Sequence, residues 1–152
     1  SDTVKGQELA EQALGRFYEQ WHHEPLVVDQ WFAVQATCQL PMTLNKVIKL
    51  LDHEAFSSRN PNKVRSLIGA FCGQNHVGFH NSNGEGYEFL ADRVLELDQL
   101  NPQIAARLLT PLTRWKKFDS KRQAMMQSQL QCIKASTKIS KDVFEVVEKS
   151  TV

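Results

Sequence analysis

The stretch NPNKVRSLIGAF, residues 60–71, joins a strong helix start to a nearly uncharged helix body. Asn is a favoured N-cap and Pro suits the first helical position, so a helix is predicted to begin here. At about 100° per residue, one face is large and apolar and the opposite face is small, which indicates a helix buried on most sides. The large face consists of Val64, Leu67, Ile68 and Phe71.

Arg65 is the only charged residue between residues 64 and 73. On a buried helix a guanidinium needs a carboxylate, backbone carbonyls or a water-filled cavity, because an unpaired charge is costly away from water.

A second Asn-Pro start opens NPQIAARLLTPL, residues 101–112. Its apolar stripe is Ile104, Leu108, Leu112 and Trp115. Gln103 and Arg107 lie beside this stripe at positions i and i+4, so they can reach a common ligand. Two interpretations remain open from the residues alone: Arg65 and Arg107 tie helix pairs together, or they line a shared polar cavity.

The rest of the chain has the helical period throughout and almost no strand-like alternation. Helices are predicted at residues 4–21 and from residues 25, 41, 60, 89, 101, 119 and 140, with NSNGEGY, residues 81–87, as a loop. The residues predicted to point inward are Leu9, Ala13, Phe17 and Trp21; Val28, Trp31, Phe32 and Gln35; Leu44, Val47, Ile48 and Leu51; Phe89, Leu90, Val94 and Leu97; Met126, Leu130 and Ile133; and Val143 and Val147, with the side of Phe144 left open.

Helix starts fall about twenty residues apart, so a helix pair occupies about forty residues. That is the period of HEAT or armadillo units, although no sequence repeat accompanies it. The sequence therefore predicts an all-α fold: a curved superhelical array of antiparallel helix pairs, an α-solenoid of about eight helices.

The composition narrows the classes of function. A net charge of +1 gives no field that favours nucleic acid. No apolar run has the length of a transmembrane segment. Three widely spaced cysteines suit a reduced compartment better than a disulfide framework. The chain of 152 residues has the size of a single domain, 1–152, and its start at Ser1 is interpreted as a cut from a longer chain, with a processed initiator as the alternative.

Three fragments suggest metal chemistry, but each is incomplete. HEPLV at residue 23 and HEAFS at residue 53 lack the second histidine of HExxH. His22, His23 and His53 are therefore expected to be surface polar residues. Cys72, His76 and His80 have the spacing i, i+4, i+8, but Gly73 and Gly78 argue against the unbroken helix that would align them. Packing and capping roles are expected for these three residues.

Long ordered strings resemble the C-terminal helical domain of bacterial aminopeptidase N, an alanyl aminopeptidase of the zinc gluzincin class. They are NPNKVRSLIGAF, then FH…GEGYEFL, then NPQIAARLLTPLTRWKKFDSKRQAMM. The resemblance covers essentially the whole chain and implies an α-helical superhelix that closes over a catalytic domain and encloses a cavity for peptides. Residues matching Arg65, Gln103 and Arg107 face that cavity in the family.

The resemblance also implies that catalysis takes place in other domains of a longer chain. One zinc ion, held by HExxH and a downstream Glu, and the amine-binding GxMEN motif lie in N-terminal domains, so no cofactor is expected in this domain. The implied role is a lid that shapes the cavity and controls access, with no catalysis by the domain alone. The implied partners are the catalytic domain of the same chain and peptide substrates. A monomer is implied, in the cytoplasm, with peripheral association with the inner membrane left open.

Two other functions compete with the lid. One is a free-standing α-solenoid scaffold that binds partner proteins on its concave face. The other is a self-contained zinc enzyme that uses Cys72, His76 and His80. The upstream reading frame separates the lid from the scaffold.

Overall fold

The computed structural model describes residues 2–152, and within them every regular element is a helix. The predicted all-α class is confirmed. The α-helices are α1 (Asp2–Trp21), α2 (Pro25–Ala36), α3 (Thr43–Leu50), α4 (Pro61–Val64), α5 (Ala70–Gln74), α6 (His76–Phe79), α7 (Glu85–Asp98), α8 (Pro102–Leu108), α9 (Thr110–Thr113), α10 (Ser120–Ala135) and α11 (Lys141–Ser150). A π-helical turn spans Arg65–Gly69 and a 3₁₀ turn spans Trp115–Lys117.

The helix starts follow from side-chain caps. The Asn60 side chain accepts hydrogen bonds from the backbone N–H groups of residues 62 and 63, and the Asn101 side chain accepts one from residue 104. Asp119 and Ser140 cap α10 and α11 in the same way. Each cap satisfies a donor that the first helical turn leaves without a partner, so the four predicted starts are confirmed.

Residues 61–74 form one continuous helix, α4 to α5, with the π-helical turn in its middle. The sequence predicted a regular α-helix here. The large apolar residues of this segment are nevertheless buried as predicted, Val64, Leu67, Ile68 and Phe71.

Helices adjacent in sequence pack against each other and then against the next pair. The α2 helix contacts α3 and the π-helical turn, α7 contacts α8 and α10, and α11 contacts α8 and α10. This stacking is that of an α-solenoid. None of the helices within residues 2–152 has the length and apolar character needed to cross a bilayer.

The core runs through α2, the 61–74 helix, α7, α8 and α10, and the inward residues predicted for α2, α7 and α10 are buried. One inward prediction for α3 was wrong. Ile48 is exposed, and Leu50 is buried in its place. Phe144 is exposed on α11, where Val143 and Val147 fill the contact with the core. His53, predicted to be a surface residue, is half-buried with its ring against Tyr18.

The inward stripe predicted for α1 was also wrong. Leu9, Phe17 and Trp21 are 57%, 42% and 38% exposed. The helix contacts its neighbours through an adjacent face, where Leu14 and Tyr18 pack on the core. The Leu14 carbonyl accepts a hydrogen bond of 3.0 Å from Trp31 Nε1, which fixes the rotation of α1.

The predicted loop at residues 81–87 ends earlier than expected. Gly84 has φ of 76°, a left-handed conformation that favours glycine, and α7 begins at the next residue. Gly86 lies inside α7 because the backbone of Phe79 passes beside it: a Cβ on Gly86 would stand 2.2 Å from the Phe79 oxygen. This close approach of α7 to the Phe79 backbone accompanies the burial of Tyr87, the next residue, which is fully buried in the core.

Asn75 joins three segments at the break between α5 and α6. Its buried amide nitrogen donates to the carbonyls of Ala36 and Cys38, both at 2.9 Å. The side-chain oxygen of Asn75, Oδ1, accepts a hydrogen bond from the Gly78 N–H at 2.9 Å and so caps α6. The side chain therefore holds the end of α2 against the α5–α6 junction.

Candidate functional site

Arg65 stands at the first position of the π-helical turn and is exposed. Its Nη1 donates to Asn62 Oδ1 at 3.1 Å, one turn earlier on the same helix. Within residues 2–152 it forms no ion pair, so the carboxylate partner considered for it is not found there. A π-helical turn widens the helix at one point, and such turns are frequent at functional sites.

The buried charge of this segment is Lys63, not Arg65. Lys63 is 6% exposed, and its ammonium group forms an ion pair with Asp29 of α2. It also donates to the Pro25 carbonyl at 3.2 Å. The Asn60 cap is what directs Lys63 inward and Arg65 outward, because it sets where the helix begins. Lys63 therefore ties the two helices together, which leaves the Arg65 guanidinium facing solvent.

Gln103 and Arg107 lie on the exposed side of α8, opposite the buried Ile104 and Leu108. In the described part of the chain, neither side chain has a hydrogen bond or an ion pair. Their i, i+4 spacing places both on one row of the helix surface, as predicted. The row carries one amide and one guanidinium, both able to donate hydrogen bonds to an oxygen ligand.

The helices that carry the two arginines meet at Gly69 and Leu108. A Cβ on Gly69 would lie 3.8 Å from Leu108 Cδ2 and 3.8 Å from Arg65 Cβ. Leu108 follows Arg107 directly in α8. This contact places α8 beside the 61–74 helix at Gly69.

A second group of polar residues was not predicted as a unit. Tyr87 Oη and His80 Nδ1 lie 2.7 Å apart, and Arg122 Nε donates to the His80 carbonyl at 2.8 Å. Burial, together with the charges of His76 and Arg122, lowers the pKa of His80 to about 4. His80 is therefore neutral near pH 7 and belongs to a network that joins α6, α7 and α10. Arg122 is distant from His80 in the sequence, so spacing alone gives no signal for this network.

The described surface includes one cleft of about 580 Å³ beside His80 and one of about 390 Å³ between α3 and α7. Arg65, Gln103 and Arg107 line neither of them. Neither cleft therefore assigns a ligand site to these three side chains.

Cys72, His76 and His80 are not arranged as metal ligands. The helix is broken at Asn75, where ψ is 80°, so the three side chains do not share a face. Cys72 is buried in the core, and burial raises the pKa of its thiol far above the ordinary value. Across residues 2–152, no group of three or more His, Cys, Asp or Glu side chains has the arrangement of a metal site.

Comparison with known proteins gives a family and several relatives. Residues 3–152 match the family described as "Domain of unknown function (DUF3458_C) ARM repeats". Aminopeptidase N of Haemophilus influenzae is 44% identical over 137 residues, which are 90% of this chain and 16% of the relative. Aminopeptidase N of Escherichia coli K12 is 42% identical over 151 residues, which are 99% of this chain and 17% of the relative.

A solved structure has the same fold. The crystal structure of Legionella pneumophila aminopeptidase A in complex with aspartic acid matches with a TM-score of 0.90 and 41% identity over 95% of this chain. The match covers 17% of that protein. This chain thus spans about one sixth of the length of the relatives it matches.

Proposed function

Because this chain belongs to the family of DUF3458_C ARM-repeat domains, we propose that it is the C-terminal domain of an aminopeptidase that removes N-terminal residues from peptides. The observation that carries the proposal is the similarity to aminopeptidase N along 99% of this chain. Since those relatives are about six times longer, the peptidase activity is proposed for a parent chain that includes this domain and a catalytic domain.

Within that parent, we propose that this domain acts as a lid that shapes the substrate cavity. Arg65, Gln103 and Arg107 are the residues that we place at the cavity. Their exposure, and the contact between Gly69 and Leu108 that brings their helices together, support this placement. An exposed guanidinium forms strong hydrogen bonds with a peptide carboxylate or carbonyl, so the chemistry suits substrate positioning.

The zinc ion implied by the family does not fit the donors of this chain. No group of three potential ligands is assembled within the described residues, and the Cys72 thiol is buried and held protonated. We therefore propose that the metal is bound by the catalytic domain and derive no chemical step from it here. The contribution of this chain is to orient the peptide and limit access to it.

The test uses the full-length parent enzyme and the substitution Arg107→Ala. We expect the Michaelis constant to rise about tenfold or more for peptides, because a hydrogen bond to a charged group contributes about 1.5–3 kcal/mol. We expect a much smaller change for single-residue amides, which end near the catalytic centre and do not extend to the lid. Both substrate classes are measured on the same preparation.

Lys121→Ala is the matched control, since it also removes an exposed positive charge, from α10. It should leave both Michaelis constants unchanged. An equal loss on both substrate classes with Arg107→Ala, or no loss on either, would return Arg107 to a purely structural role.

We also propose that the parent enzyme is a cytoplasmic monomer. Three unpaired cysteines support a reducing compartment, and peripheral association with the inner membrane is the alternative. Cell fractionation and sedimentation of the full-length enzyme test these two points.

A further inference from the structure

The cleft of about 390 Å³ between α3 and α7, which we call the α3–α7 cleft, has mostly apolar walls. They come from α3, the segment after it, the π-helical turn and α7: Ile48, Leu51, Phe56, Ile68 and Leu97. Ile68 and Leu97 are buried core residues, so the packing of the fold holds this part of the cleft in place. Clefts that bind small molecules have volumes of about 300–1,000 Å³ and predominantly apolar walls. The α3–α7 cleft therefore has the size for a small ligand with an apolar body.

The exposure of Ile48 follows from this cleft. Ile48 is 43% exposed and lines the cleft, whereas Val47 and Leu50 of the same helix are buried in the core. The apolar residues of α3 are thus divided between the core and the cleft. An apolar ligand that covers Ile48 removes its side chain from water, which favours binding.

Arg93 supplies a positive charge on the α7 side of the cleft. Its guanidinium carbon lies 5.4 Å from the centre of the Phe89 ring, and its Nη2 pairs with Glu96 Oε2 at 2.6 Å. Its buried Nε has no hydrogen-bond partner among residues 2–152. A buried donor without a partner is costly, and a ligand oxygen that accepts from it removes this cost. The side chain is 22% exposed, so the guanidinium end can turn toward such an oxygen.

Asp52 supplies the opposite charge on the α3 side of the cleft. It is exposed two residues after the end of α3 and lines the cleft. In the described part of the chain its carboxylate forms no ion pair. A carboxylate in this position attracts an ammonium group. The cleft therefore combines a hydrogen-bond donor on one side, an acceptor on the other and apolar walls.

We propose that the α3–α7 cleft binds a free apolar α-amino acid. The ammonium group of the ligand pairs with Asp52, its carboxylate accepts hydrogen bonds from Arg93, and its side chain packs on the apolar walls. The charge pattern selects this class of ligand, because a simple anion meets the carboxylates of Asp52 and Glu96 and a simple cation meets Arg93. A zwitterion with an apolar side chain satisfies both sides of the cleft. The site does not depend on the proposed peptidase activity.

Amide NMR shifts of this chain during titration with L-leucine test the proposal. The 152-residue chain is used because a catalytic domain in the parent would bind amino acids at its own site. We expect saturable shifts at Leu51, Phe56 and Leu97, with a dissociation constant on the order of 1 mM, and no shift at Arg107.

Two analogues of leucine, each lacking one charged group, separate the two polar contacts. Isocaproate lacks the ammonium group and isoamylamine lacks the carboxylate. Asp52→Asn should weaken the binding of leucine and isoamylamine about threefold and leave isocaproate unchanged, since an exposed ion pair contributes little. Arg93→Gln should weaken leucine and isocaproate about tenfold and leave isoamylamine unchanged, because the guanidinium is less exposed.

Asp92→Asn is the matched control, because Asp92 is exposed on α7 next to Arg93 but does not line the cleft. It should leave all three affinities unchanged. The absence of saturable shifts at about ten times the expected dissociation constant would overturn the proposal. Binding of all three ligands that neither Asp52→Asn nor Arg93→Gln changes would also overturn it, since the cleft would then accept any apolar molecule. Because Asp52 is exposed, Asp52→Asn keeps the fold and distinguishes these results even if Arg93→Gln does not fold.

Discussion

Replacing Lys63 by Met should destabilise the fold far more than replacing Arg65 by Met, although both positions are basic and lie on the same helix. Lys63→Met keeps an apolar side chain of similar length but leaves the Asp29 carboxylate, 15% exposed, without its ammonium partner. Breaking a fully buried ion pair costs about 3–5 kcal/mol. Because Asp29 keeps some contact with water, we expect a loss of about 2–4 kcal/mol, which lowers the melting temperature by about 5–15 °C for a domain of this size.

Arg65→Met removes only an exposed hydrogen bond to Asn62, so its expected cost is below about 1 kcal/mol. Urea and thermal unfolding followed by circular dichroism at 222 nm measure both substitutions. The double substitution with Asp29→Leu should recover part of the loss, because it removes the unpaired charge. If Lys63→Met leaves stability unchanged, or if Arg65→Met costs as much, then the assignment of the structural and the exposed cation is wrong.

Three further predictions concern packing, protonation and metal. Gly86→Ala should lower the free energy of unfolding by about 3 kcal/mol or more, because the added Cβ would meet the Phe79 backbone. Gly15→Ala, on an exposed helix surface, should be neutral or should stabilise the fold by up to about 1 kcal/mol in the same urea titration. The free energy of unfolding should be greatest above pH 6.5 and should fall as the pH approaches 4, because the unfolded chain then binds a proton that native His80 does not. Solvent screens part of this loss, so we expect it to be about 1–2 kcal/mol. The substitution His80→Gln should remove this loss from the pH profile of stability. Chelator should leave the melting curve unchanged, and a clear drop in melting temperature would show a structural metal.

The helix starts were predictable because their signals are local. Asn60 and Asn101 cap with their own side chains the donors of the next few residues, and that geometry depends only on the neighbouring sequence. The π-helical turn was not predictable, because a single extra residue in a turn leaves the apolar pattern almost unchanged. The pairing of His80 with Tyr87 and Arg122 depends on how helices stack, which no local pattern specifies.

The α1 helix illustrates a different limit. Its apolar stripe was correctly recognised as apolar, but in this chain the helix turns another face to the core. A periodic pattern predicts which residues avoid water and does not say which partner covers them. The candidate site has the same limit: Arg65, Gln103 and Arg107 are on the surface, as a cavity role requires, but the helical pattern does not say what faces them.

The buried Asn75 amide has a consequence for which amino acids the position can accept. Its two donor and one acceptor contacts are all made to backbone groups whose positions the helices fix. Asp supplies the acceptor but lacks both donors, Gln places the amide one methylene too far, and Ser is too short to span from Gly78 to the Ala36 carbonyl. Each of these replacements leaves a backbone group without a hydrogen-bond partner, so no other amino acid can take the place of Asn75 without a loss of stability. Buried apolar positions, by contrast, tolerate apolar side chains of similar volume.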